Sequence, residues 1–517
     1  MSYAADVWYT IPHHPNGLER RRAGAIQFTR KLMSEQRKAA ITILGAMKTS
    51  AGDVLNAHAN LPPPHLLFLK ALTRSATRLT TLPANHPLHK PVQAAVRKRT
   101  KRHRSLLHLL FLTTNVQPGR YKMIHTMRRC RNYLPLANIA IEQDRAKAIA
   151  NANAITGRAI FTDGSGFENN IGAAAAMFRN GQFEKSIKYH LGSMKNHTVY
   201  EAEALAVILA LHLLTELNKV LTSVTIGLDN QAVLLGLQNQ RSKPGHHLLD
   251  RIHDALQDFQ VAQARKRGER ITGYRKGRGR AKLGDGSLGW KEWELEQWCQ
   301  VDLIWTPGHE EIEGNEKADA EAKLAATGES TTVNQLPQFL RRKQLPTSIS
   351  ATRQTLKINW KKRWQAEWAA SPRYERTCAI DKFLPSDNYL HIISQLKRNQ
   401  ASLLTQLRTR HVPLNQILHR IKHSDTPECP HCHQGSIETL SHYLLFCPHY
   451  IRARTLLQHR LPRNSFTLSH LLSDSKCIPL LLRFIDNTGC FKATFGEVRP
   501  EANFVITEKE IKEKRSQ

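Results

Sequence analysis

The sequence predicts an α/β fold: a mixed five-stranded sheet with helices on both faces, set between helical N-terminal and C-terminal regions. Three observations predict it. Five β-prone runs of strand length fall between Ala159 and Trp305. Their order is three strands, a helix, then strands alternating with helices, which describes a mixed sheet covered by helices. The 517 residues also suffice for roughly three domains of about 150 residues, so flanking regions are expected.

Residues 1–145 read as a helical connector region. Ala25–Met47 mixes apolar and basic residues at helical spacing, Leu61-Pro-Pro-Pro-His65 breaks the pattern, and Leu66–Leu82 resumes it. The run Arg97–Arg104 is a dense basic cluster, either a solvated helix face or a segment for nucleic acid or nuclear import. The sheet domain is expected at residues 155–328. Its strands are Ala159–Thr162, Gly172–Phe178, Phe183–Leu191, Ser223–Leu228 and Val301–Trp305, with a long helix at Val199–Asn218 and another from Asn315. Residues 262–290 interrupt the domain with glycine and arginine too dense to build a core, so they read as a flexible basic insert that tracks phosphates. A linker and helical segment with Trp360, Trp364 and Trp368 occupies 329–395. A helical region with a Cys/His motif occupies 396–490, and a tail runs over 491–517.

The chain carries 75 Lys+Arg against 43 Asp+Glu, a formal charge of +32. That excess argues against an enzyme for a small neutral substrate and favours a polyanion, because each phosphate neutralised releases condensed counterions. No uncharged apolar run approaches the ~20 residues that span a bilayer, so no membrane partner is expected. Met1–Asp6 lacks the charged and apolar regions of a secretory signal. Eight cysteines in this length do not make a disulfide scaffold, which points to a reducing, intracellular compartment, the nucleus included.

Four acidic residues stand at positions that can converge. Asp163 closes the first strand and runs into Gly164-Ser165-Gly166, Glu203 lies early in the long helix, Asp229 ends the fourth strand, and Asp319 lies on the last helix. Singly each has a bland explanation as a turn, cap or dipole residue. Together they would repel unless cations neutralised them. Two Mg²⁺ about 3.5–4 Å apart would do so while activating a water and stabilising the leaving 3′ oxygen of a phosphodiester. His309, on a glycine-containing loop before the acidic helix, is placed to shuttle protons.

The ordered set Phe161-Thr-Asp-Gly-Ser165, Thr198…Glu203-Ala-Leu-Ala, Leu228-Asp-Asn-Gln231 and Thr306-Pro-Gly-His309…Gly314-Asn315-Glu-Lys-Ala-Asp319 resembles ribonuclease H type 1 over about residues 159–327. The resemblance implies a ribonuclease H-like sheet and an endoribonuclease cutting the RNA strand of RNA–DNA hybrids, leaving 5′-phosphate and 3′-hydroxyl ends. It implies that Asp163, Glu203, Asp229 and Asp319 hold two Mg²⁺, with Mn²⁺ as a substitute, and that His309 is the catalytic histidine. Asn315 would order the loop of His309, and Gly164, Ser165, Gln231 and Asn315 would lie on the nucleic-acid side, Gln231 at the minor groove. Val199 and Tyr200 stand where cellular members carry paired asparagines, which implies looser hybrid recognition.

Cys429-Pro-His-Cys432, His442 and Cys447 form a C-x₂-C-x₉-H-x₄-C arrangement able to close a tetrahedron around a structural Zn²⁺. His431, His433 and His449 compete for the histidine position, and buried thiols in a helical hairpin are the alternative. With Leu404–His411 and Glu438–Pro448 around it, this region resembles the C-terminal segment of fungal-type non-LTR retrotransposon reverse transcriptases. Gln36–Gly45 and Leu61-Pro-Pro resemble the thumb-to-ribonuclease connector of the same elements. No Asp-Asp pair occurs anywhere, so a polymerase core is not expected. The alternative function is a catalytically inactive nucleic-acid-binding relic of a retroelement.

Overall fold

The computed structural model describes residues 23–97, 105–114, 116–117, 119–123, 136–239, 245–268, 281–282, 288–289, 297–308, 310–342 and 344–507. The stretch 98–104, His309, most of the basic insert and the end of the tail from 508 therefore lie outside the described residues. Two compact units divide the chain, one within Thr73–Lys357 and the other within Met1–Leu72 and Ile358–Ser516. No helix among the described residues is long and apolar enough to cross a membrane.

The first unit is built on a sheet of β1 (Asn138–Ala140), β2 (Arg158–Phe167), β3 (Asn170–Arg179), β4 (Gln182–Ser193), β5 (Ser223–Leu228) and β8 (Gln300–Trp305). A separate pair, β6 (Ala281–Lys282) and β7 (Leu288–Gly289), lies within the basic insert. The sheet order is β1-β8-β5-β2-β3-β4. Strands β2, β3 and β4 form antiparallel hairpins, whereas β5, β8 and β1 join in parallel. All five expected strands are present, and β1 adds a sixth from the region read as connector. It is too short, at three residues, to leave a local signal.

The small side chains of β3 decide how the layers close. Ala173–Ala176 are fully buried, and methyl groups on both faces of one strand let a helix approach each face. The helix Val199–Glu216 packs on β2 and β3, and the helix Glu313–Ala326 packs on β2, β3 and β4. Val199–Glu216 is buried continuously from Glu201 to Leu211, so it is apolar on nearly every side rather than amphipathic. A capping box starts it: Thr198 Oγ1 accepts from the Glu201 N–H at 3.3 Å, and Glu201 Oε2 accepts from the Thr198 N–H at 3.2 Å. The expected insert begins differently from its sequence texture. The helix His246–Lys266 runs through its first residues, burying Gln263 and Ala264, and Lys266 Nζ donates to the Thr215 carbonyl at 3.2 Å.

The second unit joins the two ends of the chain, which divides it differently from the linear regions read from the sequence. Ala40 and Leu44 of the helix Ala23–Leu44 share a core with Leu403, Leu404, Leu407, Tyr443 and Leu481. The chain leaves that helix at Gly45, in a left-handed conformation with φ of 68°. There the Ser402 hydroxyl donates to the Gly45 carbonyl at 2.6 Å, and a Cβ on Gly45 would stand 2.6 Å from Ser402 Cβ. Arg398 donates to the Thr42 and Ile43 carbonyls, closing the helix end. Local periodicity finds each helix but not a partner face more than 350 residues away.

Candidate active site

The parallel pairing of β2 with β5 ends at Thr162 opposite Leu228. Asp163 and Asp229 are the next residues along the chain after that pair, so the last ladder position brings both carboxylates side by side. Asp163 does not close β2 as the sequence suggested. The strand continues to Phe167 in the hairpin with β3, because Gly164, Ser165 and Gly166 pair with Ala173, Gly172 and Ile171. Gly164 makes the convergence possible: a Cβ there would lie 2.4 Å from the Glu203 nitrogen and 2.9 Å from Ala202 Cβ. With no side chain at 164, the helix lies directly on the strand and delivers Glu203 beside Asp163.

Ligand oxygens of Asp163, Glu203 and Asp229 all lie within 4.8 Å of one another. Glu203 is buried, and Asp163 Oδ2 and Glu203 Oε2 are buried atoms with no hydrogen-bond partner. Burial and the charges of Asp229 and Asp319 push the Asp163 carboxyl up to about 8. Burial, with Asp229 and Asp163, likewise holds Glu203 well above the ordinary carboxylate range, opposed by a hydrogen bond with Asn230. Buried carboxylates this close cost free energy in their charged form, so they hold protons unless a cation takes the protons' place.

Asp319 is near enough to act on Asp163 through its charge, yet it stands apart from that trio. Its Oδ2 accepts from Lys323 Nζ at 2.6 Å, one helical turn on. Asn315 holds the preceding loop: its Oδ1 accepts from Thr306 Oγ1 at 3.0 Å, and its Nδ2 donates to the Thr306 and Pro307 carbonyls at 3.4 and 3.1 Å. Ser165 is half-buried beyond Gly164 on β2, and Gln231 opens the helix Gln231–Gln238, whose cap is Asn230 accepting from the Ala232 N–H at 2.9 Å. Tyr200 is tucked beside Gly236 and Gly245, and burial raises its phenol.

Three supporting residues escaped the sequence reading. Trp305 Nε1 donates to the Asp229 carbonyl at 3.0 Å and anchors the backbone of that aspartate. Asn230 caps a helix and touches Glu203. Lys323 was detectable, since a lysine four residues after an aspartate on a helix forms such a pair. Nothing in the local pattern marks Trp305.

In the second unit Cys429, Cys432, His442 and Cys447 bring ligand atoms within 4.8 Å of one another. Cys429 Sγ lies 3.9 Å from Cys447 Sγ, and Cys432 Sγ lies 3.5 Å from His442 Nε2. A bridge between Glu428 and Ile437, with the Cys429 N–H donating to Ser436 O at 2.8 Å, shapes the loop. Arg454 fixes the other side through the Leu444 and Cys447 carbonyls at 3.0 and 2.8 Å. Burial pushes the Cys429 thiol up to about 11. Of the competing histidines, His431 and His449 stack on each other at 5.1 Å, and none of the three joins the sulfur group.

Residues 156–327 match the RNase H family model, so the chain carries an RNase H domain over about a third of its length. Among solved structures it is similar to the N-terminal RNase H domain of rv2228c from Mycobacterium tuberculosis, solved as a fusion with maltose binding protein. Identity there is 14%, covering 34% of this chain and 95% of that one, with a TM-score of 0.22. It is also similar to RNase H1 from the halophilic archaeon Halobacterium salinarum, at 15% identity, covering 32% of this chain and 96% of that one, with a TM-score of 0.22. No curated protein matches the sequence.

Proposed function

We propose that the RNase H domain at residues 156–327 is an endonuclease that hydrolyses the RNA strand of RNA–DNA hybrids with two divalent metal ions. The observation that carries this is the trio Asp163, Glu203 and Asp229, with buried oxygens of Asp163 and Glu203 left without protein partners. Hard carboxylate oxygens fit Mg²⁺, or Mn²⁺ in its place, and these three with Asp319 would hold the ions. When bound, such ions supply activation of water and stabilisation of the leaving oxygen. The chain's own residues orient the donors. Trp305 anchors Asp229, the 162/228 register sets Asp163 against it, and the helix contact at Gly164 sets Glu203. His309, which follows in sequence the Thr306 and Pro307 that Asn315 braces, is the residue assigned to proton transfer.

The test is cleavage of a labelled RNA–DNA hybrid with Mg²⁺ by wild type and by Asp163→Asn. Cutting by wild type alone supports the proposal. Binding of the hybrid without cutting by wild type overturns it in favour of a nucleic-acid-binding relic. Cutting of double-stranded DNA with hybrids spared overturns it in favour of a transposase-like nuclease.

We also propose that Cys429, Cys432, His442 and Cys447 hold a structural Zn²⁺, supported by four converging soft and borderline donors, which no further Cys, His, Asp or Glu joins among the described residues. The retroelement origin is proposed on the sequence resemblance of the flanks alone.

A further inference from the structure

We infer that Arg145, upstream of the matched RNase H span, is a positioning residue for the Thr306–Glu310 loop, so that residues 136–153 belong to the working nuclease. The inference rests on the nuclease function proposed for residues 156–327 and adds to it a part that the family match does not cover.

Arg145 is the first residue of the helix Arg145–Asn153. Its Nη2 donates to the Gly308 carbonyl at 3.2 Å, and its guanidinium also pairs with the Glu310 carboxylate. One planar cation thus ties the residues on either side of position 309, where a forked donor can fix two acceptors at once. Gly308 in turn lies against the active-site trio, since a Cβ on it would stand 3.3 Å from Asp229 Oδ2. Asn315 braces Thr306 and Pro307 from the following helix. Arg145 therefore supplies the outer half of a clamp whose inner half comes from the matched domain.

The helix is itself held in place, which is what gives the contact meaning. Asp144 caps it by accepting from the Ala146 and Lys147 N–H groups at 2.9 and 3.4 Å. Its Ala152 is buried in a cluster with Ala159, Phe161 and Ile312, the last being the N-cap residue of Glu313–Ala326. Before it, β1 runs parallel to β8, and Asn138 Nδ2 donates to Asp302 Oδ1 at 2.9 Å. The segment is thus fastened to the sheet edge on one side and to the start of the Asp319 helix on the other.

The experiment uses the full chain and compares wild type, Arg145→Ala, Arg145→Lys and Lys147→Ala, an exposed neighbour whose backbone N–H bonds to Asp144 rather than to the loop. Hydrogen exchange of the peptide spanning 304–311 is read alongside kcat and KM on an RNA–DNA hybrid with Mg²⁺. For Arg145→Ala, faster loop exchange and a kcat lowered about tenfold are expected, with KM within about twofold, because a misplaced catalytic loop costs rate rather than binding. Arg145→Lys should recover part of the rate, and Lys147→Ala should match wild type. Unchanged exchange in Arg145→Ala, or an equal loss of kcat in Lys147→Ala, overturns the inference. If wild type cuts no hybrid, the nuclease proposal fails, and loop exchange alone still decides whether Arg145 holds the loop.

Discussion

Gly164 on β2 lies so close to Glu203 on the neighbouring helix that a Cβ would stand 2.4 Å from the Glu203 nitrogen. Backbone is in the way rather than the end of a flexible side chain, so neither element can yield without moving a carboxylate. Gly164→Ala is expected to destabilise the fold by about 1–3 kcal/mol through overpacking. It should also lower hybrid cleavage more than tenfold, because Glu203 leaves its place beside Asp163. A thermal melt and a cleavage assay on the same preparation check both effects.

Metal and pH should act on stability together. The Asp163 carboxyl is raised from 3.8 to about 8 by burial and neighbouring acids, so the folded state holds its proton more tightly than the unfolded one. That contribution is fully present below about pH 4 and is lost as pH rises through about 8. In chelator, Tm should therefore fall across that window. Mg²⁺ should raise Tm more at pH 8 than at pH 5, where fewer carboxylates are free to bind it. Asp163→Asn should flatten the fall in chelator and abolish cleavage; an unchanged slope counts against the raised Asp163 carboxyl.

The loop brace predicts a rate effect without a binding effect. Asn315→Ala removes the hydrogen bonds to Thr306 and Pro307 and leaves their polar groups unmatched, a cost of about 1–3 kcal/mol. Steady-state kinetics should show a reduced kcat with KM little changed.

Zinc should be stoichiometric and dependent on His442. His442→Ala or Cys447→Ser should lose the metal and lower Tm, whereas His449→Ala should keep it, since His449 stacks on His431. With the Cys429 thiol pushed up to about 11 in the metal-free site, loading releases protons and weakens as pH falls. Metal analysis across a pH series checks this.

The basic insert carries a prediction whose limits the structure has moved. Deleting 262–290 as a block would remove Gln263 and Ala264, which are buried, and so would unsettle the domain itself. Replacing Arg275, Lys276, Arg278 and Arg280 by alanine avoids that. Hybrid affinity should fall, and the slope of log affinity against log salt should flatten by about 0.9 for each phosphate that is no longer neutralised. Equal slopes for the two proteins would remove the phosphate-tracking role.

The sequence by itself determined the domain's five strands, the long helix and its four acids, because strand runs, helix starts and short motif spacings are local properties. The same locality made the four converging Cys and His residues proposed to hold zinc legible, since they fall within nineteen residues from Cys429 to Cys447. Tertiary structure alone decided how close the acids come. The Thr162–Leu228 register and the bare Gly164 surface bring Asp163, Glu203 and Asp229 together, while Asp319 stands outside that trio, paired with Lys323. It also decided that Leu44 packs with Leu404, and that Arg145 reaches Gly308. Those contacts depend on burial and on hydrogen bonds between residues far apart in the chain, and no periodicity within either segment encodes its partner.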